Sequence, residues 1–176
     1  MTNARSDIEN QLLVMNAQDG SARAMEELVR RWQKRLWQHA YRLIGDTEAS
    51  WDIMQQAWMG IIKGLSKLHD PAGFKAWAYR IVTNKSFDWI KKNRAEKKIS
   101  IEEIDEQQCE EKKIAGVREL LAKLDMKKRL VISLYYFEQF SVAEISTAMG
   151  IPKGTVKSRL DSARNEFKKL WQQYSE

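Results

Sequence analysis

Apolar residues recur at helical spacing along most of this chain, and the recurrence predicts where its helices lie. Helices are expected at about residues 22–44 and 48–65, each with one narrow apolar stripe. The stripe of the first consists of Met25, Val29, Trp32, Leu36, Ala40 and Leu43, and that of the second of Trp51, Met54, Trp58, Ile61, Ile62 and Leu65. A shorter stripe precedes them, formed by Ile8, Leu12 and Met15. Because strand-like alternation is missing and only 8 Gly and 2 Pro interrupt the chain, the pattern predicts an all-α fold.

Turn and capping residues separate the predicted helices. Ser21 follows Asp19-Gly20, and Asp46 follows Gly45, as is typical where one helix ends and the next begins. The loop 69–73 then precedes a fourth helix at about residues 74–92. Its inward residues are expected to be Phe74, Ala78, Ile81, Val82 and Trp89. The first 95 residues are therefore expected to form one helical bundle.

The charge of the chain changes abruptly after the fourth helix. A basic cluster ends at Lys98, and the stretch from Ser100 to Glu111 then contains six acidic residues and no basic one. This stretch has little hydrophobic periodicity, which is typical of a tether between domains. We therefore predict a flexible acidic linker at 96–112, between small helical domains at 1–95 and 113–176.

The second domain carries the pattern of a helix-turn-helix. Ser141 and Glu144 fit a capping box at the start of a short helix, which ends at Gly150. A long final helix follows, with Pro152 in its first turn. Its inward stripe is expected to be Val156, Leu160, Ala163, Phe167 and Leu170. A capped short helix, a tight turn and a long second helix are the parts of this motif.

The outward face of the final helix is the candidate DNA-reading surface. Small and polar residues at its centre allow close approach to base edges, while flanking basic residues can contact phosphates. The face consists of Gly154, Lys157, Ser158, Asp161, Ser162 and Asn165, flanked by Arg159 and Arg164. The alternative, an ordinary solvated helix face, does not explain the capped helix and glycine turn that precede it.

Two more polar faces lie in the first domain. One consists of Asp52, Gln56, Met59 and Lys63, and the other of Arg80, Asn84, Phe87 and Lys91, with Trp77 at its edge. An exposed aromatic residue among basic and amide groups can stack on unpaired bases. In the alternative interpretation Phe87 and Trp77 fold back into the bundle, and the pattern leaves both open.

Composition narrows the classes of partner and compartment. The chain has 30 basic and 24 acidic residues, a net charge of +6 that favours an anionic partner such as nucleic acid. Its single cysteine, Cys109, cannot form an internal disulfide. No apolar run approaches the roughly 18 residues of a membrane span, and the first residues do not resemble a signal peptide. These features predict a cytoplasmic protein without membrane insertion.

Catalytic and metal-binding motifs are missing from the sequence. His39 and His69 lie far apart without partners at catalytic spacing, and His39 is expected on the surface of its helix. Cys109 has no His or Cys nearby at ligand spacing, and no Gly-rich phosphate loop occurs. We therefore expect neither an enzyme nor a metal or other cofactor.

Two blocks of sequence resemble the extracytoplasmic-function (ECF) sigma factors of the sigma-70 family. EQFSVAEISTAMGIPKGTVKSRLDSARNEFKKL resembles their promoter −35-reading helix-turn-helix, and AMEELVRRWQKRLWQHAYRLIGD is similar to the opening of sigma region 2. Within that region DIMQQAW resembles the polymerase-binding helix and FKAWAYRIVTNKSFDWIKK the −10-recognition and melting helix. The resemblance implies a factor that binds core RNA polymerase and promoter DNA, with an anti-sigma factor as a further candidate partner and no small-molecule substrate.

The resemblance also implies roles for particular residues, which we group into three faces. The docking face, for polymerase, is Asp52, Gln55, Gln56, Met59 and Lys63. The −10 face is Trp77, Arg80, Asn84, Phe87 and Lys91. The −35 face is Gly154, Thr155, Lys157, Ser158, Arg159, Asp161, Ser162 and Arg164. In addition, loop 69–73 corresponds to a family loop that traps a flipped base.

Several positions depart from the family pattern. Gln56 replaces a usual Glu and Trp51 a frequent acidic residue, so fewer negative charges are available for the polymerase clamp. Asp125-Met126 replaces a usual Pro after Leu124, and only a helix start is expected to change. Asp161 and Ser162 replace residues that are commonly basic or aromatic. Two alternatives therefore stay open: a stand-alone helix-turn-helix regulator that no longer docks polymerase, and a module that sequesters a partner protein.

Overall fold

The computed structural model describes residues 2–94, 116, 117 and 119–174, and every regular element within these ranges is helical. The chain divides into two compact units, Met1–Ala95 and Glu96–Glu176. The predicted all-α fold, with a helix-turn-helix in its second half, is confirmed. The predicted acidic linker at 96–112 lies outside the described residues.

Four α-helices form the described part of the first unit. They are α1 (Thr2–Gln18), α2 (Ala22–Ile44), α3 (Thr47–Gly64) and α4 (Phe74–Arg94). Two single-turn 3₁₀ helices, Leu65–Lys67 and Pro71–Gly73, connect α3 to α4. α2 packs against each of the other three helices, and α3 also packs against α4.

The predicted capping residues start and stop these helices. The Ser21 side chain accepts a hydrogen bond from the Ala24 N–H at 3.2 Å, and Asp46 accepts one from Ala49 at 2.9 Å. Gly45 ends α2 in the left-handed conformation with φ 74° and donates its N–H to Tyr41. Glycine adopts this conformation without the steric strain of a side chain.

The buried stripes are displaced from the predicted ones at several positions. Trp51 and Ile62 are 49% and 52% exposed, so their assignment to the core was wrong; α3 instead buries Ile53 and Ala57. On α1 the stripe of Ile8, Leu12 and Met15 faces outward, while Val14 and Ala17 are buried. Residues predicted to face inward that are only half-buried are Met25, Val29, Ile81, Trp89, Phe167 and Leu170. The reason is that burial depends on which neighbouring helices contact each side, and the periodicity of one helix does not specify those contacts.

His39 was expected on the surface, and this expectation was wrong. It is fully buried, with Nε2 at 2.9 Å from the Thr83 Oγ1 and its ring 4.9 Å from that of Tyr79. Burial, with the nearby positive charge of Arg42, lowers the pKa of His39 from 6.5 to about 3. The imidazole is therefore a neutral core group at physiological pH.

The second unit is built around its last helix. α5 (Met126–Ile132) continues into a π-helical turn (Ser133–Phe137), and α6 (Val142–Met149) and α7 (Lys153–Tyr174) follow. α7 packs against α5 and α6. The core of this unit includes Leu130, Leu134, Phe140, Ile145, Val156 and Leu160. Asp125, which departs from the family pattern, lies at a helix start, where it caps α5 by accepting a hydrogen bond from the Lys127 N–H at 2.9 Å.

The geometry between α6 and α7 is set by local hydrogen bonds. The predicted capping box is confirmed: Ser141 N–H donates to Glu144 Oε2 at 2.8 Å, and Glu144 N–H donates to Ser141 Oγ at 3.2 Å. Gly150 ends α6 with φ 65°. The Ser146 hydroxyl then donates to the Ile151 carbonyl at 2.6 Å. These contacts fix the turn that sets the direction of α7 relative to α6.

Candidate polymerase and nucleic-acid interfaces

The −35 face lies along the first half of α7, opposite its buried residues Val156, Leu160 and Ala163. Five of its residues are exposed: Gly154, Lys157, Ser158, Asp161 and Ser162. The neighbouring Asn165 is exposed as well. Thr155, Arg159 and Arg164 are half-buried at the edges. The structure therefore presents the predicted residues on one side of one helix.

Arg164 differs from the other basic residues of this face because other side chains hold it. Its Nε donates to the Tyr136 hydroxyl at 2.9 Å, and its Nη1 lies 3.2 Å from Asp161 Oδ1. The guanidinium carbon also lies 5.1 Å from the Tyr135 ring centroid and 5.7 Å from that of Tyr136. Neither tyrosine was predicted to belong to the site, because both come from the π-helical turn, 28 or more residues earlier in the chain.

The −10 face lies on α4, where Arg80, Asn84 and Lys91 are exposed and Phe87 is half-buried. Trp77 is also half-buried, and its ring lies 6.1 Å from that of Phe74. A side chain at Gly64 would place its Cβ 2.9 Å from Trp77 Cζ2, so the indole covers the end of α3. Of the two interpretations left open, the structure favours the inward one for Trp77.

The loop before α4 is short, and hydrogen bonds within it hold its backbone. Within it His69, Asp70 and Ala72 are exposed. The Asp70 side chain accepts a hydrogen bond from the Ala72 N–H at 2.9 Å, and the Gly73 N–H donates to the Asp70 carbonyl at 3.0 Å. These bonds form a compact turn beside the first residues of α4.

The docking face lies on α3, and all five of its residues are exposed: Asp52, Gln55, Gln56, Met59 and Lys63. Trp51 and Ile62 extend it, although the periodicity had assigned them to the core. The Trp51 ring lies 5.5 Å from that of Trp37 on α2. The outer surface of α3 is therefore more apolar than the sequence pattern predicted.

The described residues contain neither a candidate membrane span nor a candidate metal site. None of the helices within these ranges is long and apolar enough to cross a membrane. No group of three or more His, Cys, Asp or Glu side chains is placed to hold a metal ion in the part of the chain that the structure describes.

Comparison with known families matches both halves of the chain. Residues 28–96 match the model of sigma-70 region 2, and residues 114–166 match that of sigma-70 region 4. α3, α4 and the intervening loop lie in the first match, and α6 and the first part of α7 lie in the second. Each of the three faces therefore lies within a matched region.

Individual relatives agree with the two family matches. The chain is 25% identical over 174 residues to the ECF RNA polymerase sigma factor SigW of Bacillus subtilis, covering 89% of this chain and 93% of SigW. It is 30% identical to SigL of Mycobacterium tuberculosis over 137 residues, covering 73% and 77% of the two chains.

Solved structures give the same result for the fold. CnrH in complex with the cytosolic domain of CnrY has a TM-score of 0.74 and 26% identity, covering 93% of this chain and 97% of that one. The sigma factor RpoE in complex with the anti-sigma factor NepR, from Bartonella quintana, has a TM-score of 0.73 over 84% of this chain and 96% of that one, but at 20% identity it supports the fold alone. With both region models matched in order, the chain belongs to the ECF RNA polymerase sigma factors, the sigma-70 family subunits that direct RNA polymerase to promoters.

Proposed function

We propose that each of the three faces has a separate role in promoter recognition. The docking face binds core RNA polymerase, the −10 face with loop 69–73 reads and melts the −10 element, and the −35 face reads the −35 element. The observation that carries this assignment is the exposure of the polar centre of each face on a helix whose opposite side is buried. Such a helix can contact a partner without loss of its own packing.

Docking on polymerase depends here on apolar contact as well as charge. Asp52 supplies a negative charge, and the exposed Met59 and Ile62 supply apolar surface further along the same helix. The centre of a protein interface is more apolar than the remaining surface, and charges at its edge mainly set orientation and association rate. The lack of a carboxylate at Gln56 is thereby offset by apolar area.

Promoter opening requires contacts with unpaired bases. Arg80 and Lys91 attract the phosphate backbone, while the Asn84 amide can form hydrogen bonds to a base edge. Phe87 supplies an aromatic ring for stacking, which is worth about 1–3 kcal/mol per base. Loop 69–73 lies directly before this helix and receives the flipped base.

Reading of the −35 element places α7 in the major groove. The small residues Gly154 and Ser158 permit close approach, and Lys157 and Arg159 contact base edges or phosphates. Phosphate contacts make the affinity dependent on salt. The factor itself performs no chemical step and needs no cofactor, because polymerase synthesises the RNA, and its place of action is the cytoplasm.

An anti-sigma factor is the regulatory partner that fits this assignment. Solved complexes of the relatives CnrH and RpoE contain CnrY and the anti-sigma factor NepR, respectively. For this chain, a partner that covers the apolar part of the docking face would exclude polymerase. Such a partner is expected to compete with core polymerase for the free factor.

Addition of core RNA polymerase to the purified chain and a library of promoter DNA tests the function. Run-off transcripts from selected templates are expected. Duplex binding without transcription would instead favour the stand-alone regulator, and neither activity would favour a module that sequesters a protein.

A further inference from the structure

The loop proposed to trap a base is attached to a helix that lies before the matched family region. α1 ends at Gln18, and the sigma region 2 match begins at residue 28. The side-chain amide of Gln18 donates two hydrogen bonds, to the Leu65 carbonyl at 2.9 Å and to the Leu68 carbonyl at 2.7 Å. Both acceptors are backbone atoms, 47 and 50 residues later in the chain.

These bonds fix one end of the exposed loop. Leu65–Lys67 forms a single 3₁₀ turn, closed by a hydrogen bond from the Leu68 N–H to the Leu65 carbonyl at 3.1 Å. Leu68 then takes an extended conformation, with φ −77° and ψ 104°, and leads into His69 and Asp70. Because Gln18 binds the first and last carbonyl of this turn, it sets where the exposed residues begin.

The other end of the loop also rests on α1. The second 3₁₀ turn, Pro71–Gly73, packs against α1 and continues directly into α4. The segment between the two turns, Leu68–Asp70, is therefore held on both sides by one helix. Its own side chains at His69 and Asp70 remain exposed.

We propose that Gln18 is a positioning residue for base capture, which holds loop 69–73 in the shape that accepts the unpaired −10 base. This inference rests on the proposed function of that loop. Fixing the backbone of a residue costs conformational entropy. A loop that is ordered before it meets DNA does not incur this cost during binding, and its fixed shape cannot adjust to a base that fits it poorly, so it discriminates between bases.

The test is Gln18→Met, which keeps an unbranched side chain of similar length and removes both donors. Gln11→Met is the matched control, since Gln11 is also half-buried on α1 and lies seven residues before Gln18, about two turns away. Each variant is assembled with core RNA polymerase. Binding is measured to fluorescent single-stranded oligonucleotides that carry the selected −10 sequence with each of the four bases at the trapped position.

Wild-type holoenzyme is expected to prefer one base, and Gln18→Met is expected to reduce that preference about three- to ten-fold, the range that one net hydrogen bond supports. Polymerase binding and −35 duplex binding should stay at their wild-type values, and Gln11→Met should behave as wild type. Unchanged base preference in Gln18→Met would overturn the positioning role alone. An equal loss for all four bases, or an equal loss in Gln11→Met, would do the same. A wild-type holoenzyme without base preference would overturn the proposed function of the loop and this inference with it.

Discussion

Asp161 is an acidic residue on a helix face that is otherwise suited to approach DNA phosphates. Two explanations of its presence differ in their consequences. It can pair with a nearby basic residue, or it can accept a hydrogen bond from the exocyclic amine of cytosine. The 3.2 Å contact with Arg164 favours pairing, since the same guanidinium is also held by the Tyr136 hydroxyl.

We therefore expect Asp161→Ala to leave the order of base preferences unchanged and to raise DNA affinity slightly for all sequences. The gain in affinity from removing a negative charge near phosphates does not depend on the DNA sequence. Binding-site selection with wild type, Asp161→Ala and the neutral isostere Asp161→Asn measures this. Loss of a cytosine preference at one −35 position, at roughly 1–3 kcal/mol, would instead identify Asp161 as a base reader.

His39 gives the first unit a pH dependence with a defined sign. Its folded pKa of about 3 lies below the ordinary value of 6.5, so between these values the unfolded chain binds a proton that the folded chain excludes. The free energy of unfolding should therefore fall as pH falls from 6.5, by about 2 kcal/mol at pH 5 from this residue. Urea unfolding at pH 7 and pH 5 is expected to show a smaller loss in His39→Gln than in wild type. The exposed His69→Gln is the matched control, and an equal loss in all three proteins would contradict the assignment.

At the scale of the element, α3 combines a buried side with an outer surface that has few charges. Asp52→Arg is expected to abolish binding to core polymerase, because it reverses the negative charge on a face short of carboxylates. Gln56→Glu should tighten the same interaction by adding a carboxylate. Affinity for core polymerase, measured with labelled factor at low and moderate salt, checks both variants. If neither variant changes the affinity, polymerase does not bind this side of α3.

A feature of the helices could be predicted where residues nearby in the sequence determine it, and not where tertiary neighbours do. Caps such as Ser21 and the Ser141–Glu144 box act within one turn, so local sequence was sufficient to place them. Burial of His39 and exposure of Trp51 depend on which neighbours pack where, and periodicity within one helix does not contain that information. The contacts of Arg164 with Tyr136 and of Gln18 with Leu68 join residues far apart in sequence, and no local pattern indicates them.

At the scale of the whole molecule, charge is distributed unevenly along the chain. Six of its 24 acidic residues lie between Ser100 and Glu111, in the predicted linker, so the remainder is more basic than the net charge of +6 suggests. A basic remainder suits two DNA-reading units, because phosphate contacts supply affinity that does not depend on sequence. A solvated tether needs no particular sign of charge, so a tether role alone does not explain the acidic residues.

The carboxylates of the linker resemble a nucleic-acid backbone in charge, and we hypothesise that the linker occupies the basic channel of polymerase that later holds RNA or template. Occupation of that channel competes with the growing transcript, so it should affect promoter escape. The test neutralises four carboxylates: Glu102→Gln, Glu103→Gln, Asp105→Asn and Glu106→Gln. A matched variant conserves charge: Glu102→Asp, Glu103→Asp, Asp105→Glu and Glu106→Asp. We expect the neutral variant to change the ratio of abortive to full-length transcripts and the charge-conserving variant to keep the wild-type ratio, since competition depends on negative charge rather than on side-chain identity. Wild-type ratios in both variants would leave the linker as a tether whose charge has no part in initiation.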